Sequence, residues 1–92
     1  MIMTFHCKDT EALFLDSDIP RFRIIERVAR RKLMYLHHAQ NLNDLRSPQG
    51  NRLEMLKGSR KGQYSIRIND QWRLCFHWNN SDAFDVEIID YQ

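Results

Sequence analysis

The hydrophobic positions in the first half of the chain recur at helical spacing. Between residues 20 and 39 they fall three or four residues apart, as on one side of a helix: Phe22, Ile25, Val28, Ala29, Leu33 and Leu36. Asp18 can supply the N-cap oxygen, and Asn41, Asn43 and the polar segment 47–50 that follows predict that the helix ends near residue 39. A brief strand at 2–5 and a helical turn at 11–15, capped by Asp9-Thr10, are predicted before it.

After Gly50 the pattern changes to the alternation that is typical of strands. Residues 52–56 predict a short strand, and residues 57–62 a basic loop bounded by glycines. Three apolar rows follow, the last two separated by a turn at 79–82: Tyr64, Ile66 and Ile68; Trp72, Leu74, Phe76 and Trp78; Phe84, Val86 and Ile88. The sequence therefore predicts an α+β fold, in which N-terminal helices pack on one face of an antiparallel sheet.

The register of the central hairpin can be predicted as well, because residues paired across a hairpin share a face. A three-residue loop at 69–71 gives these pairs: Ile68 with Trp72, Arg67 with Arg73, Ser65 with Cys75 and Tyr64 with Phe76. Two arginines would then lie directly opposite each other on the polar face. Either an anion lies between them, or both extend into water, and the sequence alone favours neither.

Length and composition predict one domain over residues 1–92, since 92 residues with 42% hydrophobic side chains suffice for a single modest core. The net charge of +2 is unevenly distributed, because 13 of the 14 Lys and Arg residues lie between positions 21 and 73. A basic centre between acidic ends is typical of a protein that binds a polyanion with one face, although a solvated charged surface fits equally well.

Nothing in the sequence predicts a membrane span or a secretory signal, so we expect the protein in the cytoplasm. Cys7 and Cys75 are far apart and lack CxxC spacing, which makes a disulfide framework or a zinc cluster improbable. His37-His38 at the end of the main helix is better explained by a surface or capping role than by metal binding.

The segment from Gly62 to Phe76, which contains Arg67 and the pair Trp72-Arg73, resembles the HigB-like toxins of the RelE superfamily. The ending Val86-Glu87-Ile88-Ile89-Asp90-Tyr91 and the stretch from Leu45 to Gly58 are similar to the same family. The resemblance therefore extends over essentially the whole chain.

This resemblance implies a RelE-type, microbial-ribonuclease-like fold with helices on a twisted antiparallel sheet and a basic concave face. It implies a toxin that enters the A site of the 30S ribosomal subunit and cuts mRNA there, halting translation. The partner it implies is a HigA-like antitoxin with a helix-turn-helix, so that DNA is contacted only through the antitoxin.

Cutting RNA through its own 2′-OH requires a base, an acid and cations that stabilise the charge on phosphorus. This chemistry needs no metal ion or cofactor, and we predict none. The resemblance assigns Arg73 to the scissile phosphate and implies catalytic roles for Arg67, Lys57, Asp90 and Tyr91. Asp90 would transfer or orient a proton, and Tyr91 would stack on or orient a base. A second group is predicted to contact RNA: Arg60, Lys61, Gln92, His77 and Glu54.

The chain departs from the family at its last position, where many relatives have histidine and this sequence has Gln92. An amide cannot exchange a proton near neutral pH, so activity could be reduced while RNA binding persists. Some relatives also carry a histidine where this chain has Glu54. The Glu54 carboxylate could partly replace that histidine as a base. The first hypothesis is therefore a ribosome-dependent mRNA endoribonuclease, and the second a ribosome- or RNA-binding protein that is weakened or inactive as an enzyme. A DNA-binding domain is a third and weaker hypothesis, because the sequence shows no short turn followed by a recognition helix.

Overall fold

The computed structural model describes residues 1–91, so the predictions for Gln92 lie outside the described residues. Two α-helices precede a four-stranded sheet, and short 3-10 turns connect the elements. The elements are α1 (Lys8–Phe14), α2 (Glu26–His38), β1 (Glu54–Met55), β2 (Gln63–Arg67), β3 (Trp72–Asn79) and β4 (Asp82–Asp90). The sheet is an antiparallel meander in the order β1-β2-β3-β4, which confirms the predicted α+β class.

One face of the sheet carries the hydrophobic core, as the alternation predicts. Fully buried side chains of the helices, such as Leu33 and Leu36, belong to the same cluster as Ile66, Leu74 and Phe76 of the sheet. Trp72 and Trp78 are partly buried against this cluster, so the aromatic row is core. The other face of the sheet carries mainly polar side chains, among them Ser65, Arg73 and Glu87.

The main helix begins later than predicted, because Pro20–Phe22 forms a separate 3-10 turn and α2 starts only at Glu26. Asp18 is not its N-cap. The Asp18 carboxylate instead accepts two hydrogen bonds from the Arg23 guanidinium, at 3.0 and 2.7 Å.

The first helix also begins at a different position, since α1 starts at Lys8 and no side chain caps it. Thr10 is fully buried, and its Oγ1 accepts a hydrogen bond of 3.0 Å from the backbone N–H of Ile88. The predicted cap is therefore a contact between α1 and β4, which periodicity within α1 does not reveal.

The predicted register of the central hairpin is confirmed, with Arg67 opposite Arg73 and Ser65 opposite Cys75. Asn69 stabilises the loop, because its side-chain oxygen accepts hydrogen bonds from the backbone N–H groups of Gln71 (2.9 Å) and Trp72 (2.8 Å). This pattern is the local turn that Asn side chains favour.

A β-bulge in β4 corrects the predicted face of Phe84. Cys75 pairs with Glu87, but His77 pairs with Phe84, so one extra residue of β4 is accommodated between the two pairs. Asp85 lies in this bulge at a φ of 55°. Phe84 consequently shares the open face with His77, while Ala83 and Val86 point into the core.

The N-terminal segment lies along the outer edge of β4 instead of forming a regular strand. Ile2 and Phe5 make isolated parallel bridges to Ala83 and Val86. Within residues 1–91, no helix combines the length and the apolar character that crossing a membrane requires.

Candidate functional site

Three rows of side chains cross the open face of the sheet, because residues paired in register share a face. The rows are Arg67–Arg73–Ile89, Glu54–Ser65–Cys75–Glu87 and Gln63–His77–Phe84. Most of the residues with candidate chemistry are thus on one surface, which is opposite to the helices.

Arg73 is the most constrained charged side chain on this surface, with only 7% of the residue exposed. Its Nε donates to Ser65 Oγ at 2.8 Å, and its Nη2 donates to the backbone carbonyl of Arg52 at 2.7 Å. These bonds hold the plane of the guanidinium in one orientation. Nη1 donates to no acceptor within residues 1–91, which leaves two N–H groups for an anion.

Glu54 and Tyr91 both contact Arg73. A carboxylate oxygen of Glu54 lies 3.8 Å from Arg73 Nη2, and the Tyr91 ring centroid lies 5.5 Å from the guanidinium carbon. The Glu54 side chain is 53% exposed, so it is accessible to a proton donor from solvent or substrate. A fixed cation, a carboxylate and an aromatic ring therefore come together from β1, β3 and the end of β4.

Arg67 does not form a shared anion site with Arg73, although the two are directly paired. The Arg67 guanidinium forms a salt bridge with Asp70 in the adjacent loop. Arg73 turns instead to Ser65 and the Arg52 carbonyl. The two like charges are thus separated by different partners, which is neither of the two arrangements that the sequence left open.

The basic loop before β2 contains both bound and unbound cations. Arg60 is half-buried and donates to Glu87 at 2.8 Å and to Gln63 Oε1 at 3.2 Å. The hydrogen bond from Arg60 to Glu87 raises the pKa of the Arg60 guanidinium. Lys57 and Lys61 are exposed, and within residues 1–91 no carboxylate lies close enough to pair with either.

Asp90 lies apart from Arg73, because it pairs with Trp72 and therefore shares the helix-covered face of the sheet. Its carboxylate accepts a hydrogen bond of 3.0 Å from the Gln71 side chain. Tyr91, the next residue, is on the side of Arg73. The two predicted C-terminal site residues are therefore on different sides of the sheet edge.

A polar cavity of about 310 Å³ opens at the other end of the face, around His77. Its lining residues are His6, Ser59, Arg60, Gln63, His77, Asp85 and Glu87. The Asp85 carboxylate is 3.9 Å from His77 Nε2. His77, which was predicted to contact RNA, is thus part of a cavity and not of the Arg73 cluster.

The sequence analysis missed a buried network behind Arg73. Lys32 is 5% exposed and donates through Nζ to Asn51 Oδ1, and Asn51 is fully buried. The Asn51 amide donates to the carbonyls of Leu45 (3.2 Å) and Ser47 (3.3 Å). Burial lowers the pKa of Lys32, and the charges of Arg31 and Arg67 lower it further.

A signal for this network exists in the sequence. Lys32 lies three residues after Ala29 and four before Leu36, on the apolar side of α2. Helical spacing could therefore have identified it as buried. Its partner Asn51 could not be found in this way, because it lies in an irregular segment.

Comparison with known proteins identifies the class. Residues 4–92 match the family model for the RelE-like toxin HigB of type II toxin-antitoxin systems. Endoribonuclease HigB of Proteus vulgaris is 32% identical over 94 residues, which cover 99% of both chains. Toxin HigB-1 of Vibrio cholerae is 54% identical over 62 residues, 67% of this chain and 65% of that toxin. The chain belongs to the HigB-like family of RelE-like toxins.

Solved structures agree on the fold. A YafQ mutant from E. coli superimposes with a TM-score of 0.61 at 17% identity, covering 99% of this chain and 92% of that one. The YoeB-YefM complex from Staphylococcus aureus gives 0.62 at 17% identity, covering 100% of this chain and 98% of the matched one. Such identities establish a shared fold and nothing finer.

Proposed function

We propose that this toxin is a ribosome-dependent endoribonuclease that cuts mRNA in the A site through attack of a 2′-OH on the adjacent phosphate. The observation that carries the proposal is Arg73, whose guanidinium is fixed by Ser65 and the Arg52 carbonyl while Nη1 keeps two donors. Fixed donors that meet the charge developing on phosphorus supply a large part of catalysis. The proposal takes further support from the endoribonuclease that matches the chain over its whole length.

In this reaction the 2′-oxygen bonds to phosphorus as the bond to the 5′-oxygen breaks. A 2′,3′-cyclic phosphate forms, and the departing 5′-oxygen takes a proton from solvent water to become a 5′-OH. Arg73 binds the non-bridging oxygens with paired N–H groups, as guanidinium groups do with phosphate. Tyr91 stacks on a base beside the cut and holds it in place. Lys57 and Arg67 add positive charge around the phosphate. Arg67 does so once its ion pair with Asp70 is replaced by a contact with the RNA.

Glu54 is better placed than Asp90 to accept the proton of the 2′-OH. Its carboxylate is next to Arg73 and half exposed, whereas Asp90 shares the face of Trp72. We therefore assign the base to Glu54, and to Asp90 the orientation of the segment that ends in Tyr91. Ribosomal binding would position the RNA against a site with few proton-transfer groups.

The partners in this proposal are the ribosome, its bound mRNA and a HigA-like antitoxin, all in the cytoplasm. The neighbour YoeB is seen in complex with YefM, which is consistent with a protein partner for the present toxin. Contact with operator DNA would be made by the antitoxin.

The proposal is tested by inducing the chain without antitoxin while growth and new mRNA 5′ ends are followed. Arg73→Ala and Arg73→Lys are compared with Arg23→Ala, a matched control on an arginine that is 60% exposed and pairs only with Asp18. We expect growth arrest and in-frame cutting by the unchanged chain and the control. Loss of an oxyanion-type donor lowers such reactions by roughly 100- to 1000-fold, and lysine does not restore the paired N–H contact.

A Gln92→His chain separates the two hypotheses that the last residue raises. Equal cutting by both chains makes residue 92 dispensable. Cutting by Gln92→His alone identifies the present chain as a weakened enzyme that keeps its binding function. If neither cuts while circular dichroism shows both folded, the nuclease proposal is wrong and a ribosome- or RNA-binding role replaces it.

A further inference from the structure

The cavity around His77 has no role in the chemistry proposed above, yet it opens on the same face of the sheet. His77 follows Arg73 by four residues on β3, and alternate residues of a strand share a face. At about 3.3 Å per residue the two positions are ~13 Å apart. A short length of single-stranded RNA that passes over Arg73 would therefore reach the cavity.

The bulge in β4 places an accessible carboxylate, that of Asp85, in this cavity. Asp85 adopts a φ of 55°, a conformation that non-glycine residues rarely adopt, and bulges commonly redirect a side chain. Here the carboxylate is directed toward His77. Within residues 1–91 it accepts no hydrogen bond, and it is 54% exposed.

The other acid of the cavity is already engaged, since Glu87 binds Arg60. Gln63 offers its Oε1 to the same guanidinium, so its amide N–H groups are directed elsewhere. The cavity thus presents a carboxylate acceptor and an amide donor, with the imidazoles of His6 and His77 alongside. Its free groups suit a neutral ring with an amino group better than a phosphate, which Asp85 would repel.

We propose that this cavity binds a nucleobase of the mRNA near the cut, and that Asp85 selects bases with an exocyclic amino group over uracil. Adenine and cytosine present an amino donor beside a ring acceptor, and guanine presents an amino donor beside N–H. Uracil offers a single N–H between two carbonyl oxygens, which a carboxylate repels. The proposal rests on the proposed function, because it takes the base to be part of the RNA that the toxin cuts.

The test is the base preference around the cut, mapped from new 5′ ends after induction of the unchanged chain and of Asp85→Asn. Asparagine tolerates positive φ, so the bulge is retained while the carboxylate is lost. Asp16→Asn is the control, because Asp16 is 88% exposed outside the cavity and also has a positive φ, of 73°. We expect discrimination against uracil at one fixed position to fall about tenfold in Asp85→Asn only. An identical base profile in both variants overturns the proposal.

A binding measurement keeps this inference separate from the cleavage reaction. Amide shifts of the purified chain are followed by NMR during titration with adenosine, cytidine or uridine 5′-monophosphate. We expect base-dependent shifts at His77 and Asp85 with the first two nucleotides, and their loss in Asp85→Asn. If these shifts appear in a chain that cuts no RNA, the nuclease proposal fails and the base site stands. If the three nucleotides shift the same residues equally, the base site is wrong.

Discussion

Single residues of the same type differ in chemistry within this fold, as the two free cysteines show. Burial raises the pKa of the Cys75 thiol to about 11. Partial burial also acts to raise the pKa of Cys7, but hydrogen bonds from Thr10 and Asp9 outweigh it, and the pKa lies below its usual value. Cys7 is therefore the thiolate-forming residue, and Cys75 behaves as a small core side chain.

This difference predicts selective alkylation. Iodoacetamide should modify Cys7 in the folded protein, because the thiolate is the nucleophile. Since the pKa of Cys7 is lowered, the rate should increase at a lower pH than it does for an ordinary thiol. Cys75 should react only in denaturant. Mass spectrometry of proteolytic peptides after alkylation from pH 6 to 9 measures both rates, and Cys7→Ser is the control. Equal modification of the two thiols in the native protein would contradict the assignment.

At the residue scale the sequence predicted the pairing of Arg67 with Arg73 but not the partners of either. Pairing follows from alternation and loop length, which are local properties of the chain. The partners of Arg73 do not follow from these, because the Arg52 carbonyl belongs to an irregular segment that only the folded chain places beside β3. For the same reason, the sequence could identify Glu54 as a candidate base, but it could not predict the distance from Glu54 to Arg73.

Among the elements, the segment between α2 and β1 has little regular structure and depends on buried polar contacts. Asn51 holds it by donating to two carbonyls and accepting from Lys32. The next residue, Arg52, has a φ of 44° and directs its carbonyl to Arg73. The Lys32–Asn51 pair therefore fixes the backbone that positions the Arg73 guanidinium.

Replacing Asn51 with alanine should both destabilise the fold and disturb this position. Two buried polar groups, Lys32 Nζ and the Leu45 carbonyl, would lose a partner, and each unsatisfied group costs about 1–3 kcal/mol, so we expect a loss of at least ~2 kcal/mol in the free energy of unfolding. Urea denaturation followed by tryptophan fluorescence measures it. Asn43→Ala is the matched control, because Asn43 is exposed and contacts only Arg46. Equal stability of the two variants would show that the pair has no structural role.

The elements themselves were largely predictable, and the errors have common causes. The strands of the meander and the core face of α2 follow from periodicity. The start of α2 was placed too early because Pro20 and Phe22 fit a helix locally but form a 3-10 turn. The face of Phe84 was wrong because a bulge shifts the alternation by one residue, and no local pattern marks the bulge.

At the scale of the whole molecule, the basic side chains fall into two groups. Some form an ion pair with a carboxylate, and others do not. Three arginines near the candidate site are paired with carboxylates: Arg60 with Glu87, Arg67 with Asp70 and Arg73 with Glu54. The exposed lysines at 57 and 61 have no such partner within residues 1–91. The two lysines can therefore attract RNA without first breaking an ion pair.

This division predicts the salt dependence of RNA binding. Lys57→Ala and Lys61→Ala should each reduce the slope of log affinity against log salt by about 0.7 for single-stranded RNA, as loss of one phosphate contact does. Lys8→Ala, at the start of α1 and exposed, should leave the slope unchanged. Fluorescence anisotropy with a labelled oligonucleotide at several salt concentrations measures the three slopes. A decrease of equal size in Lys8→Ala would assign the effect to net charge alone.

The pairing of the N-terminal segment with β4 also affects when the protein can act. The backbone N–H of Met3 donates to the carbonyl of Ala83, and that of His6 donates to the carbonyl of Val86. The backbone N–H groups of residues 3 and 6 thus lack these partners until the residues after position 82 have left the ribosomal exit tunnel. A nascent chain cannot assemble the outer edge of the sheet, nor bring Tyr91 to Arg73, while it is still short of β4. The fold is therefore completed only after β4 has been synthesised, and an antitoxin that is already present can bind the toxin as soon as the fold is complete.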